Sequence, residues 1–272
     1  MAYETITFEK DGPIGVLTLN QPKKLNAIGE TLIEEVNAAL DVAEKDDDVR
    51  VVLLTGAGRA FCAGFDLAYT TDEDETNFGE LQKGLVCDMD FIMRFWRFPK
   101  PTIAAVHGYA LAGGCELAVA CDITVACEKT FFGEPELRFG AGIVAMILPW
   151  VIGPKQAKEM IMTGNDRISA QRALEMNLIN QVAPEGEYMQ LAMRLARGMA
   201  AIDPVPMRLQ KIAINRTYEI MGLNEALKSA SDLDVLIEGI ETPDSKTFSD
   251  IARTDGIKAA LKWRDSRFAS DA

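Results

Sequence analysis

Hydrophobic residues along the chain follow two different spacings that alternate. Short runs rich in β-branched residues predict strands at 5–8, 15–19, 49–54, 102–106 and 123–126. Apolar residues recur about every 3.6 positions over 28–43 and over 81–96, which predicts two amphipathic helices between the strands. Strands that alternate with helices indicate an α/β architecture.

The pattern changes in the second half of the chain. After about Lys155 the strand signal fades, and Pro204 and Pro206 mark a boundary because proline commonly opens helices. Helical patterns cover 155–162, 169–177, 187–201, 204–219, 222–238 and 256–264. We therefore predict an α/β core over 1–200 and a helical region over 201–272. That region is small for an independent core, so we expect it to pack on its own body or on another subunit.

Composition places the 272-residue chain among globular proteins, with 48% hydrophobic and 25% charged residues. The 41 acidic residues exceed the 28 basic ones, giving a net charge of −13 without a basic stripe, so nucleic acid is not an expected partner. No uncharged apolar run reaches 18 residues, and the first residues do not resemble a secretory signal. We expect no membrane association and a cytoplasmic location.

Cysteine and loop patterns add little chemistry. The five cysteines are an odd number, and Cys115, Cys121 and Cys127 lie six residues apart, which matches no zinc spacing. We expect reduced and mostly buried thiols. Two acidic runs, 44–48 and 72–75, are predicted to be solvated loops.

Several enzyme classes lack their signatures in this sequence. The only histidine, His107, follows an apolar strand and is predicted to be structural. Motifs of the forms G-x-S-x-G, H-E-x-x-H and the phosphate-binding P-loop are absent, and the glycines at 56 and 58 lack the third glycine of a dinucleotide fingerprint. These absences disfavour serine hydrolases, zinc peptidases and dinucleotide-dependent enzymes.

Two glycine-containing turns could present backbone N–H groups to a ligand. Residues 110–118 (ALAGGCELA) follow a strand and lead into a helix, whose first turn offers free N–H groups and would contain Glu116. Residues 59–67 (RAFCAGFDL) form a second such turn. The turns around Phe65 and Gly113 could donate jointly to one oxyanion, although spacing alone does not establish that they meet. Glu116 could also be simply a favourable acid near a helix N-terminus.

A second glutamate lies in an apolar context. Glu136 follows Pro135 and precedes the apolar residues Leu137 and Phe139. Apolar surroundings disfavour the charged form and raise the pKa of a carboxyl, which suits proton transfer at neutral pH. The alternative is an ordinary loop glutamate.

Five segments in order resemble motifs of one known family. Residues 20–28 (NQPKKLNAI) are similar to N-R-P-x-x-x-N-A-L, and 59–67 to A-F-x-A-G-x-D-L. Residues 108–116 are similar to G-x-A-x-G-G-G-x-E, with Ala112 for the first of the three glycines. Residues 132–136 match F-x-x-P-E, and 163–173 are similar to T-G-x-x-I-x-A-x-x-A with one additional residue before Ile168. Together they resemble the crotonase, or enoyl-CoA hydratase/isomerase, superfamily over nearly the whole chain.

The resemblance implies a spiral of ββα turns followed by a helical trimerisation region, a homotrimer or dimer of trimers, and an acyl-CoA thioester substrate. It implies an oxyanion hole from the backbone N–H groups of Phe65 and Gly113, with Glu116 and Glu136 as the two catalytic carboxylates. Substrate and CoA contacts would come from Lys23, Lys24, Ala63, Gly64, Asp66, Leu67, Gly114, Lys258 and Lys262.

The resemblance favours an enoyl-CoA hydratase, which adds water syn across C2=C3. We assign Glu116 mainly to the water and Glu136 to the C2 proton, and this chemistry needs no metal or redox cofactor. An enoyl-CoA isomerase, another crotonase-type acyl-CoA reaction and a non-catalytic CoA-binding protein remain as alternatives. One departure stands out, because residues 140–150 (GAGIVAMILPW) are shorter and more apolar than the glycine-rich segment of hydratases. This stretch predicts an altered acyl specificity, a changed reaction or buried packing without catalytic consequence.

Overall fold

The computed structural model describes residues 3–67 and 77–268, so the acidic run predicted to be a loop at 72–75 lies outside the described residues. The strands are β1 (Ile6–Asp11), β2 (Ile14–Leu19), β3 (Val51–Gly56), β4 (Thr102–Val106), β5 (Tyr109–Leu111), β6 (Ile123–Cys127), β7 (Phe131–Gly133), β8 (Ile168–Ser169) and β9 (Gln181–Ala183). The helices are α1 (Glu30–Lys45), α2 (Phe78–Arg97), α3 (Gly113–Ala120), α4 (Leu148–Val151), α5 (Gly153–Met162), α6 (Ala170–Glu175), α7 (Tyr188–Ala200), α8 (Pro204–Ile220), α9 (Leu223–Gly239), α10 (Pro243–Asp255) and α11 (Ile257–Ser266).

The larger sheet brings the predicted motifs to one edge. Its strand order is β1-β2-β3-β4-β6-β9, with β1 antiparallel to β2 and the other neighbours parallel. Parallel strands all end at the same edge of a sheet, where ligands commonly bind in open α/β folds. The segments that follow β2, β3 and β4 are those that contain 20–28, 57–67 and 107–113.

A second, three-stranded sheet connects the two glutamate motifs. Its order is β5-β7-β8, and the parallel register of β5 with β7 places Leu111 opposite Gly133. The turn that leads into α3 therefore lies beside the segment that contains Glu136. This pairing, which links positions 22 residues apart, is what brings the two glutamates to one place.

The pattern-based strands and helices are confirmed with a few additions. The five predicted strands correspond to β1, β2, β3, β4 and β6. Four short strands, α4 and α10 are not predicted by the pattern, and two of those strands lie after Lys155. A strand of two or three residues is too short to show a hydrophobic period, so the signal for them is absent.

The C-terminal helices pack on the α/β body of the same chain. Lys211 of α8 is buried, and its ammonium donates to the carbonyls of Phe95 and Lys100 and to Asp122 Oδ2 at 2.7 Å. α9 lies against α2. α10 reaches the turn that holds Glu136, where the rings of Phe139 and Phe248 stack 5.5 Å apart.

Several smaller expectations can be compared with the structure. His107 Nε2 lies 2.9 Å from the Gly58 carbonyl oxygen and its ring stacks on Tyr188, as expected for a structural histidine. All five cysteines are free, and all but Cys87 are buried. Across 3–67 and 77–268, no helix has the length and apolar character needed to cross a membrane.

Candidate active site

Glu116 lies in the first turn of α3, as the sequence predicts. α3 is buried along its whole length, and Glu116 is 0% exposed. Its Oε2 accepts the Ala145 N–H at 3.1 Å, while Oε1 has no partner among the described residues. Burial raises the pKa of Glu116 well above its ordinary value, and the neighbouring Glu136 carboxyl raises it further.

Glu136 begins a short 3-10 turn, Glu136–Phe139, that follows Pro135. The side chain is buried, and one of its oxygens lacks a hydrogen-bond partner within the described part of the chain. Burial raises the pKa of Glu136 to about 8, and the nearby Asp234 and Glu238 act in the same direction. The carboxyl therefore carries its proton at neutral pH, as a proton donor requires.

A third glutamate, which sequence reasoning missed, completes a cluster. Glu134 is 0% exposed, and neither of its carboxylate oxygens has a hydrogen-bond partner among the described residues. One oxygen from each of Glu116, Glu134 and Glu136 lies within 4.8 Å of the others. A divalent cation could bridge oxygens at this spacing, and shared protons satisfy the same arrangement. The sequence could have indicated this residue, because Glu134 directly precedes Pro135 in the same motif as Glu136.

Mutual repulsion keeps this cluster from ionising completely. Burial raises the pKa of Glu134 well above its ordinary value, and the charges of Glu136 and Glu116 add to the rise. Three carboxylates this close in a desolvated site cannot all be charged at neutral pH. The cluster can therefore both hold and release protons, which is the chemistry of an acid–base site.

The raised pKa of Glu134 makes stability fall as pH rises. Below the ordinary value of 4.5 both the folded and the unfolded chain are protonated there, and the group has no effect. Above it the unfolded chain releases a proton that the folded protein keeps, so the free energy of unfolding falls by about 1.4 kcal/mol per pH unit. Glu134→Gln is neutral in both states and is expected to lose this part of the slope.

Urea unfolding at about pH 5.5 and about pH 7.5 measures the effect. The free energy of unfolding of Glu134→Gln, relative to that of wild type, is expected to be higher at the higher pH. Glu34→Gln, at an exposed position of α1, is the matched control and is expected to follow wild type. Identical pH slopes for Glu134→Gln and wild type would contradict burial of a protonated carboxyl at this position.

The two glycine-containing turns lie against each other. Ile28 N–H donates to the Gly64 carbonyl and Asp66 N–H donates to the Ile28 carbonyl, so the Phe65 N–H points away from this pairing. Gly113 is the first residue of α3, where an N–H has no acceptor within the helix. The Phe65 ring covers Gly113 so closely that a Cβ there would lie 2.5 Å from it.

Backbone geometry explains the closeness of the turns. Gly64 has φ +97°, and a Cβ on it would lie 2.6 Å from the Ala112 Cβ and 3.4 Å from the Gly113 nitrogen. Ala112, which replaces the family's glycine, adopts φ 55° and ψ −136°. That region is nearly exclusive to glycine and costs an L-residue of order 1–3 kcal/mol. The sequence departure thus coincides with a strained position.

The other predicted contacts are divided between the site and the surface. Ala63 N–H donates to the Leu25 carbonyl beside the same turn, and Gly114 packs so closely that a Cβ would lie 2.4 Å from the Cys62 carbonyl oxygen. Lys24 pairs with Asp66 at 3.0 Å. Leu67 is half-buried at the end of the described segment.

Three predicted lysines are exposed. Lys23 lies in the short 3-10 helix before Leu25, and Lys258 and Lys262 lie on α11. The α11 side chain that faces the Glu136 turn is instead Arg264, whose guanidinium lies 5.6 Å from the centre of the Phe139 ring. A role for the two α11 lysines at a nucleotide phosphate stays a prediction.

The apolar segment 140–150 contributes both packing and polar contacts. Ala145, Ile147 and Leu148 are fully buried in the main core. The same segment supplies the Ala145 N–H that holds Glu116, and its Gly142 N–H donates to Glu238 Oε1 at 3.1 Å. Buried packing, one of the three expectations for this stretch, is therefore present, and it positions a candidate catalytic carboxyl.

Comparison with known proteins gives a consistent result. A family model described as enoyl-CoA hydratase/isomerase matches residues 9–256. The short-chain-enoyl-CoA hydratase of Clostridium acetobutylicum is 36% identical over 268 residues, covering 95% of this chain and 99% of that protein. The crotonyl-CoA hydratase of Syntrophomonas wolfei is 30% identical over 279 residues, covering 99% and 100%.

A solved structure shows the same fold. The crystal structure of an enoyl-CoA hydratase/isomerase from Xanthobacter autotrophicus Py2 is 47% identical and superposes with a TM-score of 0.96. The match covers 99% of this chain and 100% of that one. The α/β architecture with C-terminal helices, which the sequence predicts, is therefore confirmed.

Proposed function

The chain belongs to the enoyl-CoA hydratase/isomerase family, and we propose that it adds water syn across the C2=C3 bond of a 2-enoyl-CoA thioester. The observation that carries the proposal is that two buried carboxyls lie beside two backbone N–H groups, those of Phe65 and Gly113, for which no acceptor is found among the described residues. One carboxylate oxygen of Glu116 lies within 4.8 Å of one of Glu136, and Gly113 begins the helix that holds Glu116.

The two turns would stabilise the negative charge that develops on the thioester oxygen. When water adds at C3, electron density moves through C2 to the carbonyl and forms an enolate. The Phe65 and Gly113 N–H groups are fixed before the reaction, and each such donor is typically worth about 3–4 kcal/mol in the transition state. Close contact between Gly64 and the 111–113 turn supports their convergence.

Each of the two carboxyls would transfer one proton during the addition of water. The reactive form of the pair has one proton, with Glu116 ionised and Glu136 protonated. Glu116 takes a proton from the attacking water, and Glu136 gives its proton to C2 on the same face of the substrate. The pKa of Glu136, raised to about 8 by burial, supports the donor role. Because the pair shares its protons, the measured pKa values will belong to the pair rather than to either residue. This reaction needs no metal and no redox cofactor. The coenzyme A is part of the substrate.

Crotonyl-CoA hydration tests the proposal. Absorbance of the conjugated enoyl thioester is expected to fall with wild type and to stay constant with the Glu116→Gln/Glu136→Gln double variant. An isomerase would instead convert a 3-enoyl-CoA to the 2-enoyl isomer without adding water. A CoA-binding protein without catalysis would bind the thioester and leave it unchanged in both cases. Either of these results would contradict the proposal.

We also propose that the helical region 201–272 assembles the chain into a trimer or a dimer of trimers. This region exposes large apolar side chains on α8 and α9 and at the ends of these helices: Val205, Leu209, Ile214, Ile220, Met221, Leu233, Leu236 and Ile240. Apolar side chains grouped on a protein surface are typical of an interface between subunits, and these residues support one here. Native mass spectrometry at micromolar concentration is expected to give three or six copies, and a monomer would contradict the assembly.

We also propose a cytoplasmic location. Five free cysteines, four of them buried, are typical of a reducing compartment.

A further inference from the structure

One buried acid outside the catalytic cluster has no partner of its own. Asp234 of α9 is 2% exposed, and neither of its carboxylate oxygens has a hydrogen-bond partner within the described residues. Buried polar groups in folded proteins are nearly always hydrogen-bonded, because an unpaired one costs free energy. Asp234 is buried within a single chain, so subunit assembly is not needed to enclose it.

Asp234 lies against the segment that follows Glu136. A Cβ on Gly142 would lie 1.6 Å from Asp234 Oδ1, so only glycine leaves room for the carboxyl at this point. Three residues later, the Ala145 N–H holds Glu116. One short segment therefore connects Asp234 to the catalytic pair. The electrostatic effect agrees, since the Asp234 charge contributes to raising the pKa of both Glu116 and Glu136.

The surroundings of Asp234 contain other acids rather than a cation. Glu238, one turn further along α9, accepts the Gly142 N–H, and Asp88 lies on α2, the helix that packs against α9. Burial raises the pKa of Asp88 to about 6 and of Asp234 to about 7. Among the described residues no lysine or arginine contributes to the shifted pKa of any of these three acids. A neutral hydrogen-bonding partner suits partly protonated carboxyls better than an anion does.

From this geometry we infer that the acyl group of the substrate carries a hydroxyl beyond C3, and that Asp234 hydrogen-bonds it. The inference rests on the proposed function and names its substrate class. A plain alkyl chain would exclude water from Asp234 and leave the carboxyl unpaired. A site built to bond a substrate hydroxyl rejects the analogue that lacks it by large factors, for this reason. Asp234 is a specificity residue and takes no part in the proton transfers.

Matched substrates test the inference. Wild type is assayed with 2-enoyl-CoA thioesters of four, six and eight carbons, each with a terminal methyl, a terminal hydroxyl or a terminal methoxy group. We expect kcat/KM for the hydroxyl substrate to exceed that for the methyl substrate by at least about tenfold at one chain length. The methoxy substrate, which has the size but no donor, is expected to behave like the methyl substrate or worse.

Variants connect the preference to Asp234. Asp234→Leu is expected to reverse it by raising kcat/KM for the methyl substrate and lowering it for the hydroxyl substrate. Asp234→Asn keeps an acceptor of the same shape and is expected to retain most of the preference, which guards against misfolding of the leucine variant. Asp232→Leu, at an exposed position of the same helix, is the matched control and is expected to leave the ratio unchanged.

The outcomes separate the two proposals. Hydration of methyl substrates at least as fast as hydroxyl substrates at every length would overturn the inference and leave the hydratase proposal intact. An unchanged ratio in Asp234→Leu would also overturn it. Failure of wild type to hydrate any of the thioesters would instead contradict the proposed function.

Discussion

Glu136→Gln is expected to lower kcat for hydration by about 10²–10⁴-fold, the usual contribution of a positioned acid–base group. The amide has the size of the protonated carboxyl, so the buried turn that holds it should keep its shape. It cannot, however, release a proton to C2. Affinity for an acyl-CoA thioester is expected to change little, because the residues proposed to contact CoA do not include Glu136. Steady-state kinetics and a direct binding titration with a saturated acyl-CoA measure the two quantities.

Glu134→Gln is the control for that result. It removes another buried carboxyl, two residues away, and leaves both proposed catalytic groups in place. We expect its kcat to stay within about tenfold of wild type, well short of the loss expected for a catalytic acid. Full activity of Glu136→Gln, or equal losses in the two variants, would remove the special role assigned to Glu136.

Gly64→Ala is expected to lower kcat by about 10²–10³-fold, the usual cost of losing one oxyanion donor. The added methyl group would lie 2.6 Å from the Ala112 Cβ and 3.1 Å from the Leu111 carbonyl oxygen, in a backbone conformation that L-residues rarely adopt. The turn around Gly113 must therefore move away from the turn around Phe65. The two N–H groups would then no longer point at one oxygen.

Gly84→Ala controls for the effect of adding a methyl group. Gly84 lies within α2 with nothing within 4 Å of a Cβ, so the substitution is expected to leave kcat unchanged and to favour the helix slightly. Thermal unfolding of both variants separates a misplaced turn from a lost fold. A folded Gly64→Ala protein with wild-type kcat would mean that the two turns do not form an oxyanion hole.

The local surroundings of the two proposed catalytic glutamates could be predicted from the sequence. Glu116 was predicted in the first turn of a helix and Glu136 beside apolar residues, and the structure has both. Local sequence patterns could not predict that the two glutamates lie at the same place in the fold. The parallel register that puts Leu111 opposite Gly133 joins strands of three residues, which are too short to leave a hydrophobic period.

The features that sequence reasoning missed differ in how strongly the sequence indicates them. Asp234 belongs to a helix that was predicted, and it lies on the same face as Leu223, Leu227 and Ser231, all of them buried. Polar residues on an apolar helix face are departures that often have a function, so this signal was present. The strain at Ala112 was not readable in the same way, because φ and ψ at a substituted glycine follow from the surrounding turns rather than from the residue itself.

Isotope incorporation tests the central claim most directly. Crotonyl-CoA is incubated with the enzyme in oxygen-18-labelled water, and the product is analysed by mass spectrometry. Our account predicts one labelled oxygen, located on C3, in the product formed by wild type and no labelled product with the Glu116→Gln/Glu136→Gln variant. Turnover without label, or label that persists in the double variant, would contradict the addition of water by these two glutamates.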